Sequence, residues 1–239
     1  MSKKELDRLG DRLRDAPVPS EEDLHLWGMV RPHFLASLQH VQAQLRERLG
    51  LQPTVREKNR ETLVDKLRRE RDMRLSRVQD VVGARIVREM TLSEQDDLVR
   101  RIGELFPDHR VRDRRREPSH GYRAVHLVAR IDGLAVEIQI RTQWQDRWAQ
   151  AMEHLGDCWG RAIRYGGEPE DAGREERMSL PGLQPRSRQD WTSLLIALQQ
   201  DVAQAEESAG TDPVKRLLEP ERLAVRLDTL LLAFEHFRR

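Results

Sequence analysis

The sequence contains few of the residues that cross-link chains or span membranes. Cys158 is the single cysteine among 239 residues, which excludes an internal disulfide and a zinc site built from several cysteines, and fits a reducing cytoplasm. No stretch of roughly eighteen apolar residues occurs, so a membrane-spanning helix is not expected. The N-terminal segment is charged and has no apolar core, so secretion by a signal peptide is not expected either.

Lysine is also scarce, because arginine supplies nearly all of the positive charge. The chain has 42 Lys plus Arg against 41 Asp plus Glu, and its formal net charge is +1. This charge is unevenly distributed: residues 51–165 hold 24 basic and 19 acidic residues, whereas residues 166–239 hold 10 and 14. Arginine has a planar guanidinium that pairs with phosphates and stacks on bases. A phosphate-rich partner is therefore expected in the middle segment.

Helical periodicity marks both ends of the chain. After Ser20, apolar residues at spacings of three and four predict a helix that ends at Gly50 and that Pro32 should kink or split. A shorter helix is expected before it, and two more near the C-terminus, over Trp191–Ala205 and Pro213–Phe237. The expected organisation is N-terminal helices over 1–50, a catalytic domain over 51–165, a mobile loop over 166–189 and C-terminal helices over 190–239.

The middle segment alternates between helical and strand patterns, which is typical of a mixed α+β domain with one sheet. Two strand patterns flank Asp132-Gly133, a strong signal for a two-residue hairpin. The predicted elements are a helix over Glu61–Arg71, a strand over Val78–Val87, a helix over Ser93–Leu105, strands over Ala124–Ile131 and Leu134–Thr142, and a helix over Gln143–Arg164.

Polar residues recur on one face of the predicted hairpin. A period of two places Glu137, Gln139 and Arg141 on the same side, and His126 on the preceding strand shares that face. Such a row is also typical of a solvated sheet surface. Asp80, at the start of an apolar strand, is equally compatible with a turn residue or, beside Glu137, with a magnesium site built from two carboxylates and substrate phosphates.

Basic side chains and one tyrosine complete the candidate set. Arg56, Lys58 and Lys66 surround the start of a predicted helix, where they form either a charged surface or, beside a metal, a phosphate clamp. Tyr122 follows Gly121 before the hairpin and is able to stack on a base or to pack as core.

Taken together and in order, these residues resemble the synthetase domain of RelA/SpoT-type alarmone synthetases. The resemblance covers about residues 50–160, and the motifs that carry it are Arg56-x-Lys58, Lys66, Asp80-(three residues)-Ala84-Arg85, Gly121-Tyr122-x-x-x-His126 and Glu137-Ile138-Gln139-Ile140-Arg141-Thr142. It implies a nucleotidyltransferase-type mixed sheet flanked by helices, with N- and C-terminal helical extensions. The implied activity is transfer of the β,γ-pyrophosphate of ATP to a ribose 3′-hydroxyl.

The resemblance also implies a role for each residue. Asp80 and Glu137 would bind Mg²⁺, Glu137 would assist deprotonation of the acceptor, and His126 would lie beside the reacting phosphates. The implied ATP-binding residues are Arg56 and Arg85, on the two sides of the adenine, and Lys58 and Lys66, on the phosphates. The implied acceptor-binding residues are Tyr122, Gln139 and Arg141, to which the basic run adds Arg112 and Arg116.

The sequence leaves the identity of the acceptor molecule undecided. Pro118-Ser119-His120-Gly121 lacks the Lys and Asn that commonly precede the Gly-Tyr pair in the family. A guanosine nucleotide, GDP or GTP, is the first expectation, and it would give ppGpp or pppGpp. The second is the 3′-terminal adenosine of tRNA, because five arginines between Arg110 and Arg116 can follow an RNA backbone, and such a toxin would have an antitoxin partner. A non-catalytic RNA-binding module is a third reading. C-terminal helices would suit a homo-oligomer.

Overall fold

The computed structural model describes residues 2–176, 186–208, 225 and 227–231. A mixed five-stranded sheet lies among helices, which confirms the expected α+β class. The helices are α1 (Lys3–Asp15), α2 (Glu21–Leu49), α3 (Arg60–Arg69), α4 (Leu92–Leu105), α5 (Gln143–Trp159) and α6 (Arg188–Ser208). The strands are β1 (Thr54–Glu57), β2 (Val82–Arg88), β3 (His109–Asp113), β4 (Val125–Ile131) and β5 (Leu134–Thr142).

Helix α2 begins and ends where the sequence predicts. The Ser20 hydroxyl accepts a hydrogen bond from the Asp23 backbone N–H at the start of α2, and Gly50 ends α2 in the left-handed region at φ +64°. The expectation that Pro32 splits this helix is wrong. Helix α2 continues through it, because Val30 and Phe34 are both buried and anchor the helix on either side of the proline.

The strand order is β1-β2-β5-β4-β3. Strands β4 and β5 form the predicted hairpin, and both of its turn residues, Asp132 and Gly133, have the positive φ that a type I′ turn requires. Strand β2 begins at Val82 and not at Val78, because Val78 closes a 3₁₀ turn over Leu75–Arg77. Strands β1 and β3 lie at the two edges and are largely exposed, so they lack the apolar pattern that would have predicted them.

The chain divides into two compact units by its internal contacts. The first comprises residues 1–86, 99–112 and 126–140. It contains the sheet apart from the last residues of β2, β3 and β5 and the first residue of β4. Helices α1, α2 and α3 belong to it.

The second unit comprises residues 87–98, 113–125 and 141–239, and its core lies between α5 and α6. The buried Trp148 of α5 donates a hydrogen bond from Nε1 to the Leu195 carbonyl of α6 at 2.7 Å. Helix α5 ends at Trp159 and not at Arg164, because Gly160 at φ +101° leads into a 3₁₀ turn.

Some predictions fall partly or wholly outside the described residues. The loop predicted over 166–189 includes residues 177–185, and most of the helix predicted over 213–237 lies outside too, although 225 and 227–231 are helical. The assignment of domain boundaries stays a prediction. Across the described residues, every helix is too short or too polar to cross a bilayer.

Candidate functional site

The first unit places one carboxylate between two lysines. Asp80 follows the 3₁₀ turn, Lys58 follows β1 and Lys66 lies on α3. Lys58 Nζ donates to Asp80 Oδ2 at 2.7 Å, and Lys66 Nζ donates to Asp80 Oδ1 at 2.8 Å. Burial opposes ionisation of Asp80, but the charges of Lys66 and Lys58 outweigh it and lower the pKa of Asp80 to about 2. Asp80 is therefore fully ionised at neutral pH.

Lys58 is held in place by its own backbone as well as by Asp80. Its backbone N–H donates to the Val81 carbonyl at 2.9 Å, and the residue is only 8% exposed. Burial lowers the pKa of Lys58, and the attraction of Asp80 acts in the opposite direction. Because an ammonium carries three N–H donors, Lys58 and Lys66 each retain the capacity to contact phosphate oxygens while bonded to Asp80.

The hairpin provides the second carboxylate. Glu137 of β5 lies beside His126 of the neighbouring strand β4, whose Nδ1 is 3.0 Å from Glu137 Oε1. Gln139 donates from Nε2 to Glu137 Oε2 at 2.7 Å. Burial raises the pKa of Glu137, but the hydrogen bonds from His126 and Gln139 outweigh burial, and its pKa lies below the usual value. Glu137 is thus an ionised carboxylate with a fixed orientation.

A narrow cleft brings the two carboxylates together with two arginines. It is lined by Arg56, Asp80, Gly83, Ala84, Arg85, Glu137 and Gln139. In the antiparallel register Arg56 faces Gly83 and Thr54 faces Arg85, so Arg56 and Arg85 project diagonally from the same face of β1 and β2. Gly83 permits the close approach of β5, since a Cβ there would lie 2.9 Å from the Glu137 carbonyl oxygen.

The second unit joins Tyr122 to Arg141. Arg141 is only 2% exposed; it donates from Nη2 to the Tyr122 hydroxyl at 3.0 Å and from Nη1 to Asp146 Oδ1 at 2.8 Å. Its guanidinium carbon lies 5.1 Å from the centroid of the Tyr122 ring. Burial lowers the pKa of Arg141, but Tyr122 and Asp146 outweigh it and raise that pKa above its usual value. The Tyr122 ring is partly buried against the core of α5 and α6.

The basic run does not form one continuous surface. Arg112 lies exposed on the edge strand β3, and the Arg116 side chain is 85% exposed. Arg115 instead points inward: it bonds Asp113 Oδ2 at 2.7 Å and Asp96 Oδ1 at 2.5 Å. Only part of the arginine run is therefore presented to solvent.

The structure thus brings together eight of the predicted residues in the first unit and two in the second. The first group is Arg56, Lys58, Lys66, Asp80, Arg85, His126, Glu137 and Gln139; the second is Tyr122 and Arg141. Sequence reasoning missed Asp146 and Glu206, which lie near the second group. A signal existed for their neighbour Gln145, because Thr142-x-x-Gln145 is a capping box, but none existed for Glu206.

The two carboxylates suit a divalent cation only in combination with a phosphate ligand. Within the residues that the structure describes, no group of three or more His, Cys, Asp or Glu side chains could hold a metal ion. Asp80 and Glu137 are both ionised oxygen donors on one cleft, which is the donor set that Mg²⁺ shares with substrate phosphates. The residues present therefore fit a divalent cation that is shared with a phosphate ligand.

Comparison with known proteins agrees with this geometry. A family model described as a region found in RelA/SpoT proteins matches residues 55–156. An uncharacterised protein of Mycobacterium tuberculosis H37Rv, Rv1366, is 39% identical over 171 residues, which are 68% of this chain and 62% of that protein. The chain therefore matches less than two thirds of the length of this relative.

Two solved structures share the fold. Small alarmone synthetase 1 from Bacillus subtilis superposes with a TM-score of 0.53 at 18% identity, over 80% of this chain and 95% of that one. A GTP pyrophosphokinase family protein from Streptococcus pneumoniae superposes with a TM-score of 0.50 at 20% identity, over 83% and 96%. Residues 55–156 therefore match the region found in RelA/SpoT proteins, and the chain has the fold of the small alarmone synthetases.

Proposed function

We propose that the protein is an ATP-dependent pyrophosphokinase that transfers the β,γ-pyrophosphate of ATP to the ribose 3′-hydroxyl of GDP or GTP and so makes (p)ppGpp. The observation that carries this proposal is the placement of Asp80 between Lys58 and Lys66, in a cleft that also contains Glu137. Phosphoryl-type transfer depends on positioning and charge neutralisation more than on covalent catalysis, and this cleft offers both.

The donor, ATP, binds in the first unit. Arg56 and Arg85 extend from the same face of adjacent strands, where two guanidinium planes can hold an adenine between them. Lys58 and Lys66 bind the β- and γ-phosphates through the donors that Asp80 does not use. Four cationic side chains, two that line the cleft and two that are bonded to Asp80, also attract a polyanion before any specific contact forms.

Transfer requires attack of the acceptor 3′-oxygen on the β-phosphorus, which breaks the bond between that phosphorus and the α,β-bridging oxygen and releases AMP. Glu137 is ionised and oriented by His126 and Gln139, so it can accept the proton that the 3′-hydroxyl loses. Asp80 and Glu137 would hold Mg²⁺, which supplies neutralisation of the charge on the transferred phosphates. His126 lies beside the same carboxylate and assists in fixing its orientation.

The acceptor contacts are assigned to Tyr122 and Arg141 of the second unit and to Gln139, which comes two residues before Arg141 on β5. Tyr122 is only partly buried and offers the exposed side of its ring to the guanine, while the hydrogen bond from Arg141 fixes the tilt of the ring. Arg112 and Arg116 are exposed and provide charge for the acceptor phosphates.

A second candidate acceptor is the 3′-terminal adenosine of tRNA. It is favoured by the exposure of Arg110, Arg112 and Arg116, which can contact successive backbone phosphates. A tRNA-modifying toxin of this kind would need an antitoxin partner, whereas a nucleotide-specific enzyme would suit a homo-oligomer. The third reading, a non-catalytic RNA-binding module, has less support because Asp80 and Glu137 are both present and ionised.

Incubation of the purified protein with γ-labelled ATP and Mg²⁺, separately with GDP, GTP and deacylated tRNA, tests the proposal. Label on GDP or GTP is the expected result. Label on tRNA alone would show that the acceptor is tRNA and not a guanosine nucleotide. The reaction rate should then fall steeply between low and physiological salt concentration. Absence of any labelled acceptor would contradict the proposal.

A further inference from the structure

Helix α6 carries a carboxylate that lies deep in the second unit. Glu206 is only 6% exposed, although glutamate is rarely buried without a partner. Its Oε1 accepts hydrogen bonds from Thr142 Oγ1 at 2.5 Å and from Gln145 Nε2 at 2.9 Å. Its Oε2 lies 3.7 Å from Arg123 Nη2, which is an ion-pair contact. The side chain therefore joins α6 to two other segments.

Two of the three residues that Glu206 contacts each follow a residue of the Tyr122–Arg141 pair. Arg123 comes directly after Tyr122, and Thr142 comes directly after Arg141. Because neighbouring residues share a peptide plane, fixing Arg123 and Thr142 limits the positions open to Tyr122 and Arg141. Glu206 thus sets the position of both partners of the 3.0 Å hydrogen bond without touching either.

Arg123 extends the link along the segment 113–125. Its Nη1 donates to the Arg115 carbonyl at 3.1 Å, and Arg115 in turn donates to Asp113 and to Gln95 Oε1, the latter at 3.1 Å. Gln95 receives a further bond from Gln145, which also bonds Glu206. The network is closed, so a change at Glu206 reaches the segment 113–125 by two routes.

We propose that Glu206 is a positioning residue for the acceptor, since it fixes Tyr122 and Arg141 through Arg123 and Thr142. This inference rests on the proposed function, because it takes Tyr122 and Arg141 as the acceptor-binding pair. Glu206 is a positioning residue and not a catalytic one, because it contacts neither of them. The lysines, arginines and carboxylates of the ATP cleft belong to the first unit, so ATP binding should not depend on it.

Steady-state kinetics of Glu206→Gln test the proposal. The glutamine retains an oxygen for Thr142 but loses the charge that faces Arg123. The KM for the acceptor should rise about tenfold, because contacting charged residues have coupling energies of that order. Both kcat and the KM for ATP should stay within about twofold of the wild-type values. Glu207→Gln, on an exposed neighbour in the same helix, is the control and should match the wild type.

Hydrogen–deuterium exchange provides a readout that needs no activity. Exchange in 113–125 should become faster in Glu206→Gln and stay unchanged in Glu207→Gln. Wild-type kinetics, an equal rise in both KM values, or unchanged exchange in 113–125 would overturn the inference. If the wild type is inactive with every acceptor, the proposed function fails, and exchange alone then decides whether Glu206 holds this segment. If Glu206→Gln does not fold, Arg123→Gln tests the same contact from the other side.

Discussion

Replacement of Asp80 by asparagine removes one negative charge and leaves the size of the side chain almost unchanged. In the wild type, that charge lies between Lys58 and Lys66, at 2.7 and 2.8 Å from their ammonium nitrogens. The variant keeps both lysines close together with no anion between them, and Lys58 is too buried to be solvated fully. We therefore expect loss of stability as well as loss of activity.

The structure sets the scale of the stability effect. The pKa of Asp80 falls from 3.8 to about 2 on folding, and a fall of this size corresponds to about 2.5 kcal/mol of folding free energy at neutral pH. Because the folded pKa is depressed, this contribution is complete above about pH 5 and is lost as the pH falls through 3.8 toward 2. At pH 3 about half of it should remain.

Urea denaturation of the wild type and Asp80→Asn between pH 7 and pH 3 measures this contribution. The difference in unfolding free energy should be about 2.5 kcal/mol near neutral pH and should narrow below about pH 4. Asp65→Asn, on the exposed side of α3, is a matched control and should change the free energy by less than about 0.5 kcal/mol. A difference that does not depend on pH, or a more stable Asp80→Asn variant, would refute the ion-pair reasoning.

Three further predictions concern the cleft and the acceptor side. Glu137→Gln should abolish pyrophosphate transfer while circular dichroism shows an unchanged fold. Full activity of this variant would contradict the assignment of Glu137 as metal ligand and base. Tyr122→Ala should raise the KM for the acceptor more than the KM for ATP, and an equal loss of both would contradict its role. Gly83→Ala should lower stability by about 1–3 kcal/mol in thermal denaturation, because its Cβ would meet the Glu137 carbonyl oxygen at 2.9 Å. Gly28→Ala, whose added Cβ would meet no atom within 4 Å beyond its own stretch of α2, should be neutral or stabilising. An equal loss in both variants would refute the steric argument.

The local elements of the fold follow largely from the sequence. The Asp132-Gly133 turn, the Ser20 cap and the Gly50 stop each depend on residues a few positions apart, and all three are as predicted. The edge strands β1 and β3 were not predicted, because an exposed strand has no apolar face to display. Their position at the edges of the sheet explains both why these strands are exposed and why the alternation of apolar and polar residues did not predict them.

The candidate site likewise has one part that the sequence predicts and one part that it does not. The resemblance to the family assigns Asp80 to the metal and Lys58 and Lys66 to the ATP phosphates, and the structure adds that both lysines bond directly to the carboxylate. The partners of Arg141 and Arg123 could not be found from sequence. Glu206 lies 64 positions from the Thr142 that it bonds, and no periodicity connects residues so far apart.

The identity of the products tests the central claim most directly. The wild type should convert ATP and GDP to AMP and a guanosine carrying a 3′-pyrophosphate, in equal amounts by ³¹P NMR, and AMP should form only when the acceptor is present. Asp80→Asn and Glu137→Gln should form neither product. Formation of ADP would indicate transfer of a single phosphoryl group, and AMP formation that survives either substitution would show that this cleft does not carry the reaction.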